Sequence, residues 1–186
     1  MRPPLLLAML ASLLTLCGFG PPRLADRPDL PDFEVQAAQL QLIQASRIPP
    51  PRAHEAILLD FASNRVLYDF NAEAPWPPAS TTKLMTALLT LEGGSLDDIL
   101  TVSPQAAAEI GTRMGLAAGE QFSVRELLWG LLLPSGNDAA IALAQHDAGS
   151  LPAFVSRMNQ KAQELGLSQT HFVNPDGLDE RNHLMS

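Results

Sequence analysis

The stretch Pro77-Pro78-Ala79-Ser80-Thr81-Thr82-Lys83-Leu84-Met85 decides how the rest of this chain is read. Its prolines bound a helix start, and the run Thr81 to Leu91 carries Leu84, Leu88 and Leu91 at the spacing of a stripe that can bury. Ser80 opens the helix and Lys83 follows three residues later on the same face, so the amine can reach the hydroxyl. A serine hydroxyl is a weak nucleophile unless a base is held within hydrogen-bond distance, and an uncharged lysine can be that base. Two influences favour the uncharged amine: the positive end of the helix dipole, and desolvation beside Leu84 and Leu88. A competing reading makes Ser80 an N-cap and nothing more. It leaves Lys83 unexplained, because a capping box puts Glu or Gln at that position, and a cation in the first turn opposes the macrodipole at a cost of roughly 0.3–1 kcal/mol.

A second feature lies downstream, where Pro134-Ser135-Gly136-Asn137-Asp138 closes the apolar stretch Leu127 to Leu133 and opens another helix. One reading is a turn, with Asn137 or Asp138 capping the helix that follows. The other gives Ser135 a proton-relay or Lys83-orienting role and lets Asn137 offer its amide to a peptide substrate. Each fragment is weak alone. Only two lysines occur in the chain, Lys83 and Lys161, which makes the position of Lys83 more informative than it would be in a lysine-rich protein.

The remaining sequence bounds the setting. At 186 residues the chain suffices for one domain with a full core, and a net charge of -8 without a basic run argues against a nucleic-acid partner. Arg2 followed by the twelve apolar residues Leu5 to Leu16 reads as a signal peptide or membrane anchor over residues 1–20, too short to span a bilayer comfortably. Residues 21–52 read as a Pro-rich linker with a short helix at Phe33 to Ser46, and 53–186 as the N-terminal part of the domain that carries the Ser80 and Lys83 motif. That domain opens on a β-hairpin, Ala56 to Phe61 and Arg65 to Phe70 about Ala62-Ser63-Asn64, with a weak strand near Ile99 to Val102. Helices are expected over Pro104 to Ile110, Val124 to Leu133, Asp138 to His146 and Leu151 to Leu165. The pattern is α+β. The single cysteine, Cys17, leaves the exported body without a disulfide. His54, His146, His171 and His183 lack metal-binding spacing, so each is expected to cap, pack or lie in a loop, and no metal or cofactor is expected. Asp176, Asp179 and Glu180 about Gly177 read as a turn, since the ligand spacing of a calcium loop is absent.

Taken in order, Ala56-Ile57-Leu58-Leu59-Asp60, Pro78 to Thr86, Met114-Gly115-Leu116, Gly119-Glu120, Ser135 to Ala139, Met158-Asn159 and Asn174-Pro175-Asp176-Gly177-Leu178 make a specific series. It resembles the serine-type D-Ala-D-Ala carboxypeptidases among the low-molecular-mass penicillin-binding proteins, from about Ala56 to the last residue. The resemblance implies a β-lactamase/DD-peptidase-like fold, helices on an antiparallel sheet of which only the first strands are present. It implies removal of the terminal D-alanine of a peptidoglycan pentapeptide through an acyl-enzyme on Ser80, with Lys83 as proton acceptor, Ser135 and Asn137 assisting, and β-lactams as acylating inhibitors. The Ser80 N–H would form half of an oxyanion hole, a donor typically worth about 3 kcal/mol. The family's third signature, Lys-Thr-Gly, is missing, and Lys161 followed by Ala162 and Gln163 offers no substitute. The expectation is therefore an N-terminal part of the catalytic domain with little or no activity as written, exported to the periplasm or the outer face of the cytoplasmic membrane. Two alternatives stand beside it. A class A-like β-lactamase has Asp where Gly136 stands, and a non-catalytic wall-binding relative would keep the scaffold without turnover.

Overall fold

The computed structural model describes residues 52–186. The signal or anchor segment, and the linker helix at Phe33 to Ser46, lie outside the described residues. The chain divides into two units, one ending at Phe70 and the other starting at Asn71. In the first, β1 (Ala56–Asp60) and β2 (Arg65–Phe70) pair antiparallel, with the register running from Ala56 opposite Phe70 to Asp60 opposite Arg65 and a bulge between Leu58 and Leu59. The turn follows from its residues. The Asp60 carboxylate accepts the Ala62 N–H at 3.1 Å and the Ser63 hydroxyl, and Asn64 takes the left-handed conformation at φ 54° that Asn tolerates.

In the second unit the helices are α1 (Thr82–Gly93), α2 (Pro104–Ala107), α3 (Val124–Leu132), α4 (Asn137–Ala148) and α5 (Leu151–Glu164). Helix α4 is the hub: its residues Asn137 to Ala144 are all buried, and α1, α2, α3 and α5 pack against it. Its alanines 139, 140, 142 and 144 make this close approach workable, since a small side chain on every face admits a neighbour on every side. Leu127, Leu131, Leu143 and Val102 lie in one core cluster, and Met85, Leu89, Phe154, Met158 and Phe172 in a second. Helix α3 starts at a capping box, Ser123 with Glu126, and Ser150 caps α5 by accepting the Ala153 N–H at 3.3 Å.

One sequence expectation is extended and two need correction. The weak strand is real, β3 (Ile99–Thr101), and it is stabilised by an antiparallel partner that the sequence reading did not identify, β4 (Gln121–Ser123). Helix α2 ends well before Ile110 because the segment after it is drawn toward α4: the Ile110 and Thr112 carbonyls accept the side-chain and backbone N–H of Asn137, both at 2.7 Å. The stripe Leu84, Leu88 and Leu91 does not bury as a whole, for Leu84 is 64% and Leu91 51% exposed and only Leu88 packs partly against the core. Instead α1 turns Thr82, Met85, Thr86 and Leu89 inward, and the threonines are accommodated there because polar groups of residues 175–183 bond to them.

Candidate active site

Ser80 lies in a single 3₁₀ turn, Ala79–Thr81, that leads into α1, and it is exposed. The residue before it, Ala79, sits at φ 47°, a left-handed conformation that costs an L-residue roughly 1–2 kcal/mol. Ser80 does not cap α1. The N-cap position belongs to Thr81, and no side chain there bonds to the helix, so the stability-only reading of Ser80 loses the hydrogen bond it needs.

One turn on, Lys83 is only 2% exposed. Its Nζ stands 3.2 Å from Ser80 Oγ, 2.8 Å from Asn137 Oδ1 and 2.5 Å from the backbone carbonyl oxygen of Asp176. Burial lowers the pKa of the amine below that of an ordinary lysine, while the nearby Asp176 carboxylate opposes the shift. The desolvation comes from this inward packing, not from Leu84, which faces out. The count of partners has chemical content. A carbonyl oxygen can only accept, so the two N–H groups of a neutral amine are used by Asn137 and Asp176, and the lone pair is left for the Ser80 O–H.

Each acceptor is itself fixed. Asn137 is 4% exposed, and its Nδ2 donates to the Ile110 carbonyl, which sets the amide with its oxygen toward Lys83. The side chain expected to meet a substrate therefore faces the lysine in this structure. The Asp176 carbonyl is presented by the turn Asn174 to Leu178, in which Asn174 accepts the Gly177 N–H and donates to the Leu178 carbonyl, both at 2.8 Å. This turn presses on the serine segment: a Cβ on Gly177 would lie 1.9 Å from the Ala79 carbonyl oxygen, and its φ of 85° already demands glycine. Burial raises the pKa of the Asp176 carboxyl, against the pull of the Leu178 N–H and Lys83.

Ser135 precedes α4 at φ 62°, left-handed like Ala79, and it is half-buried. Among the described residues it makes no hydrogen bond to Ser80 or Lys83. Neither Asn137 nor Asp138 caps α4 as the turn reading has it, for the N-cap position belongs to Gly136 and both residues lie inside the helix; Asp138 instead holds a loop. Its carboxylate accepts the N–H groups of Met114, Gly115, Leu116 and Ala139 at 2.8–3.0 Å, tying the 114–116 loop to α4. Burial alone would raise its pKa, but the four bonds together hold it below the ordinary carboxyl value. Gly136 has no room for a side chain, because a Cβ there would lie 2.8 Å from the Gly130 carbonyl oxygen and 2.9 Å from Asp138 Oδ1. An aspartate at this position, as the β-lactamase alternative requires, does not fit this backbone.

The sequence reading missed the Asp176 carbonyl and the Ile110 carbonyl, which no side-chain pattern signals. A cavity of about 480 Å³ behind the 174–178 turn is lined by Glu109, Ile141, Val155, Phe172, Asp176 and Glu180 among others, but by neither Ser80 nor Lys83.

The family model for D-alanyl-D-alanine carboxypeptidase matches residues 43–186. The chain is 42% identical over 142 residues to the D-alanyl-D-alanine carboxypeptidase DacF of Bacillus subtilis, covering 72% of this chain and 36% of that protein. It is 37% identical over 149 residues to a D-alanyl-D-alanine endopeptidase of Pseudomonas aeruginosa, covering 74% of this chain and 48% of that one. The crystal structure of the D-alanyl-D-alanine carboxypeptidase DacD from Francisella tularensis superposes with a TM-score of 0.72 at 35% identity, over 76% of this chain and 35% of that one. The chain thus spans between about a third and a half of the length of these relatives. With a family model matched from residue 43 to the last residue, the chain belongs to the D-alanyl-D-alanine carboxypeptidase family.

Proposed function

We propose that the protein is a serine-type D-Ala-D-Ala carboxypeptidase that removes the terminal D-alanine of peptidoglycan pentapeptides. The observation that carries this reading is the set of partners around Lys83 Nζ, two fixed acceptors and one hydroxyl. Ser80 Oγ attacks the carbonyl carbon of the penultimate D-alanine as its proton passes to the Lys83 lone pair. The tetrahedral intermediate collapses to an acyl-enzyme, and the proton leaves with the amine of the departing D-alanine. Water then attacks the ester carbonyl and gives a proton to Lys83; as the bond from the acyl carbon to Ser80 Oγ breaks, Lys83 hands that proton to the serine oxygen, and the shortened peptide leaves as a carboxylic acid. Protonated and neutral Lys83 use the same three partners, so the proton can come and go without any heavy atom moving. β-Lactams acylate Ser80 by the same route. Asn137 holds and orients the amine, and Ser135, strained beside the site, assists proton movement.

Relatives of this chain carry both carboxypeptidase and endopeptidase names, and the carboxypeptidase reading follows the family description and the larger number of names. The basic and apolar N-terminal residues support export, with the site on the outer side of the cytoplasmic membrane. The test is labelling with a fluorescent penicillin of the protein expressed from its intact gene. Label on Ser80 that disappears in Ser80→Ala supports acylation. Label that survives the substitution, or no label at all, refutes it and favours the non-catalytic reading.

A further inference from the structure

The site leaves one buried histidine without a role. His183 is 1% exposed and its ring meets Phe172 edge-on at a centroid distance of 5.9 Å. Its Nδ1 accepts the Val173 N–H at 3.1 Å, and its Nε2 lies 2.8 Å from Thr82 Oγ1. A backbone N–H can only donate, so Nδ1 offers its lone pair, and the neutral ring carries its proton on Nε2 and donates it to Thr82. Thr82 is fully buried and is the first residue of α1, between Ser80 and Lys83. The residues after His183 hold the same region by backbone pairs. Leu184 bridges to His171, and Met185 bridges to Trp76 on the segment that leads into the serine turn.

These bonds answer a local deficit. The start of α1 has no side-chain cap, and the turn before it contains Ala79 in a left-handed conformation, so within the segment only the Thr81 bonds to the Pro78 carbonyl and the 3.2 Å Lys83–Ser80 contact hold the serine near the lysine, and none of them anchors the segment to the rest of the fold. What pins it arrives from residues 174–185: the Asp176 carbonyl on Lys83, Gly177 against Ala79, the Pro175 carbonyl accepting from Thr86 at 2.6 Å, and His183 on Thr82. We propose that His183 is a positioning residue for the Ser80–Lys83 pair, acting through its hydrogen bond to Thr82. The proposal rests on the reading of Ser80 and Lys83 given above. An apolar residue at 183 could fill the same space but could not satisfy the buried Thr82 hydroxyl. The acid form of the ring cannot serve either, since a protonated Nδ1 would face the Val173 N–H donor to donor. Burial keeps the ring's pKa below the ordinary histidine value, with Glu180 and Asp179 raising it and His171 lowering it.

The test uses the fact that the chain has two lysines. With ¹³C-labelled lysine, NMR titration follows Lys83 and Lys161 separately, and Lys161, ion-paired with Glu92 and Glu164, serves as the internal reference. His183→Gln keeps an N–H near the place of Nε2, and His183→Asn keeps an acceptor near the place of Nδ1. Thr82→Val removes the hydroxyl at constant shape, and Thr82→Ser keeps it. The expected result is an upward shift of the Lys83 titration in His183→Asn and Thr82→Val, as the amine is resolvated, with His183→Gln and Thr82→Ser close to wild type and Lys161 unmoved throughout. Acylation of Ser80 by a penicillin probe in the intact protein should slow by roughly tenfold to a hundredfold in the first two and recover in the second two. A Lys83 titration unchanged in Thr82→Val, or shifted as far by Gln as by Asn, overturns the proposal. The titration needs no turnover, so a protein that never takes the probe counts against the catalytic reading, while the lysine data judge the histidine alone.

Discussion

Replacing Asp138 by asparagine tests how the loop beside the site is held. The carboxylate takes four backbone N–H groups, two on each oxygen once Ala139 is counted with Met114 on Oδ1 and Gly115 with Leu116 on Oδ2. An asparagine keeps one oxygen and turns an NH₂ toward the other pair, so two hydrogen bonds become N–H facing N–H. Hydrogen bonds to a charged group contribute about 1.5–3 kcal/mol each. Gly115 is exposed and can turn to water, but Leu116 and Ala139 are buried, so either orientation of the amide spoils at least one bond that water cannot replace. The expected loss is about 3 kcal/mol, a large fraction of the roughly 5–15 kcal/mol that stabilises a domain. Urea unfolding at neutral pH reads it directly, as a lower midpoint at unchanged slope. The pH dependence sharpens the test. The carboxyl of Asp138 is held below its ordinary value, so the unfolded state binds the proton first and the wild type loses this stabilisation as pH falls through the folded-state pKa. The gap between wild type and variant should therefore narrow below about pH 4, where the unfolded carboxyl titrates. A loss under about 1 kcal/mol at neutral pH, or a gap that does not change with acid, would refute the assignment of the loop's stability to this carboxylate.

Asp176→Asn should lower the Lys83 titration further, because the carboxylate is the group that raises it, and NMR titration of the two lysines would detect the change. Since burial raises the Asp176 pKa, ionisation costs stability as pH rises through its folded value. The asparagine variant should match or exceed wild-type stability at neutral pH and lose that advantage in acid, as measured by thermal unfolding at both pH values. Gly136→Asp should destabilise the chain by about 2 kcal/mol or more through contact with the Gly130 carbonyl and Asp138, measured as a fall in unfolding midpoint; a stable variant would mean the α4 start is softer than its packing implies. Because His183 is held neutral, stability should fall as pH drops below about 6.5, and this limb should flatten in His183→Gln.

The elements with a strong local period were legible in the sequence. The hairpin about Asn64, and helices α3, α4 and α5, lie within a few residues of where apolar spacing and caps put them. That Ser80 and Lys83 lie within reach of each other was legible too, since a three-residue spacing puts both on one face, although the contacts that hold the pair come from residues 175–183. What escaped was the orientation of α1, whose threonines turn inward with Met85 and Leu89 while Leu84 and Leu91 face out. Hydropathy ranks Leu84 above Thr82, and only the distant Pro175 carbonyl and His183 reverse that order. The carbonyls of Ile110 and Asp176 escaped for a related reason: every residue has one, so nothing in their identity marks them. Asn174 and Gly177 were noted as part of a family pattern, but the contact that needs that glycine, against the Ala79 carbonyl, joins segments nearly a hundred residues apart in sequence.

The bond between Thr82 and His183 closes a loop of 101 residues, and the bridge from Trp76 to Met185 closes a longer one. Such closures come late in folding, after the helices between them have condensed, because their entropy must be offset by contacts already made. During synthesis, therefore, Ser80 leaves the ribosome long before the residues that hold its turn and Lys83 in place. A nascent chain carries an ordinary serine and a solvated, charged lysine until its last described segment docks.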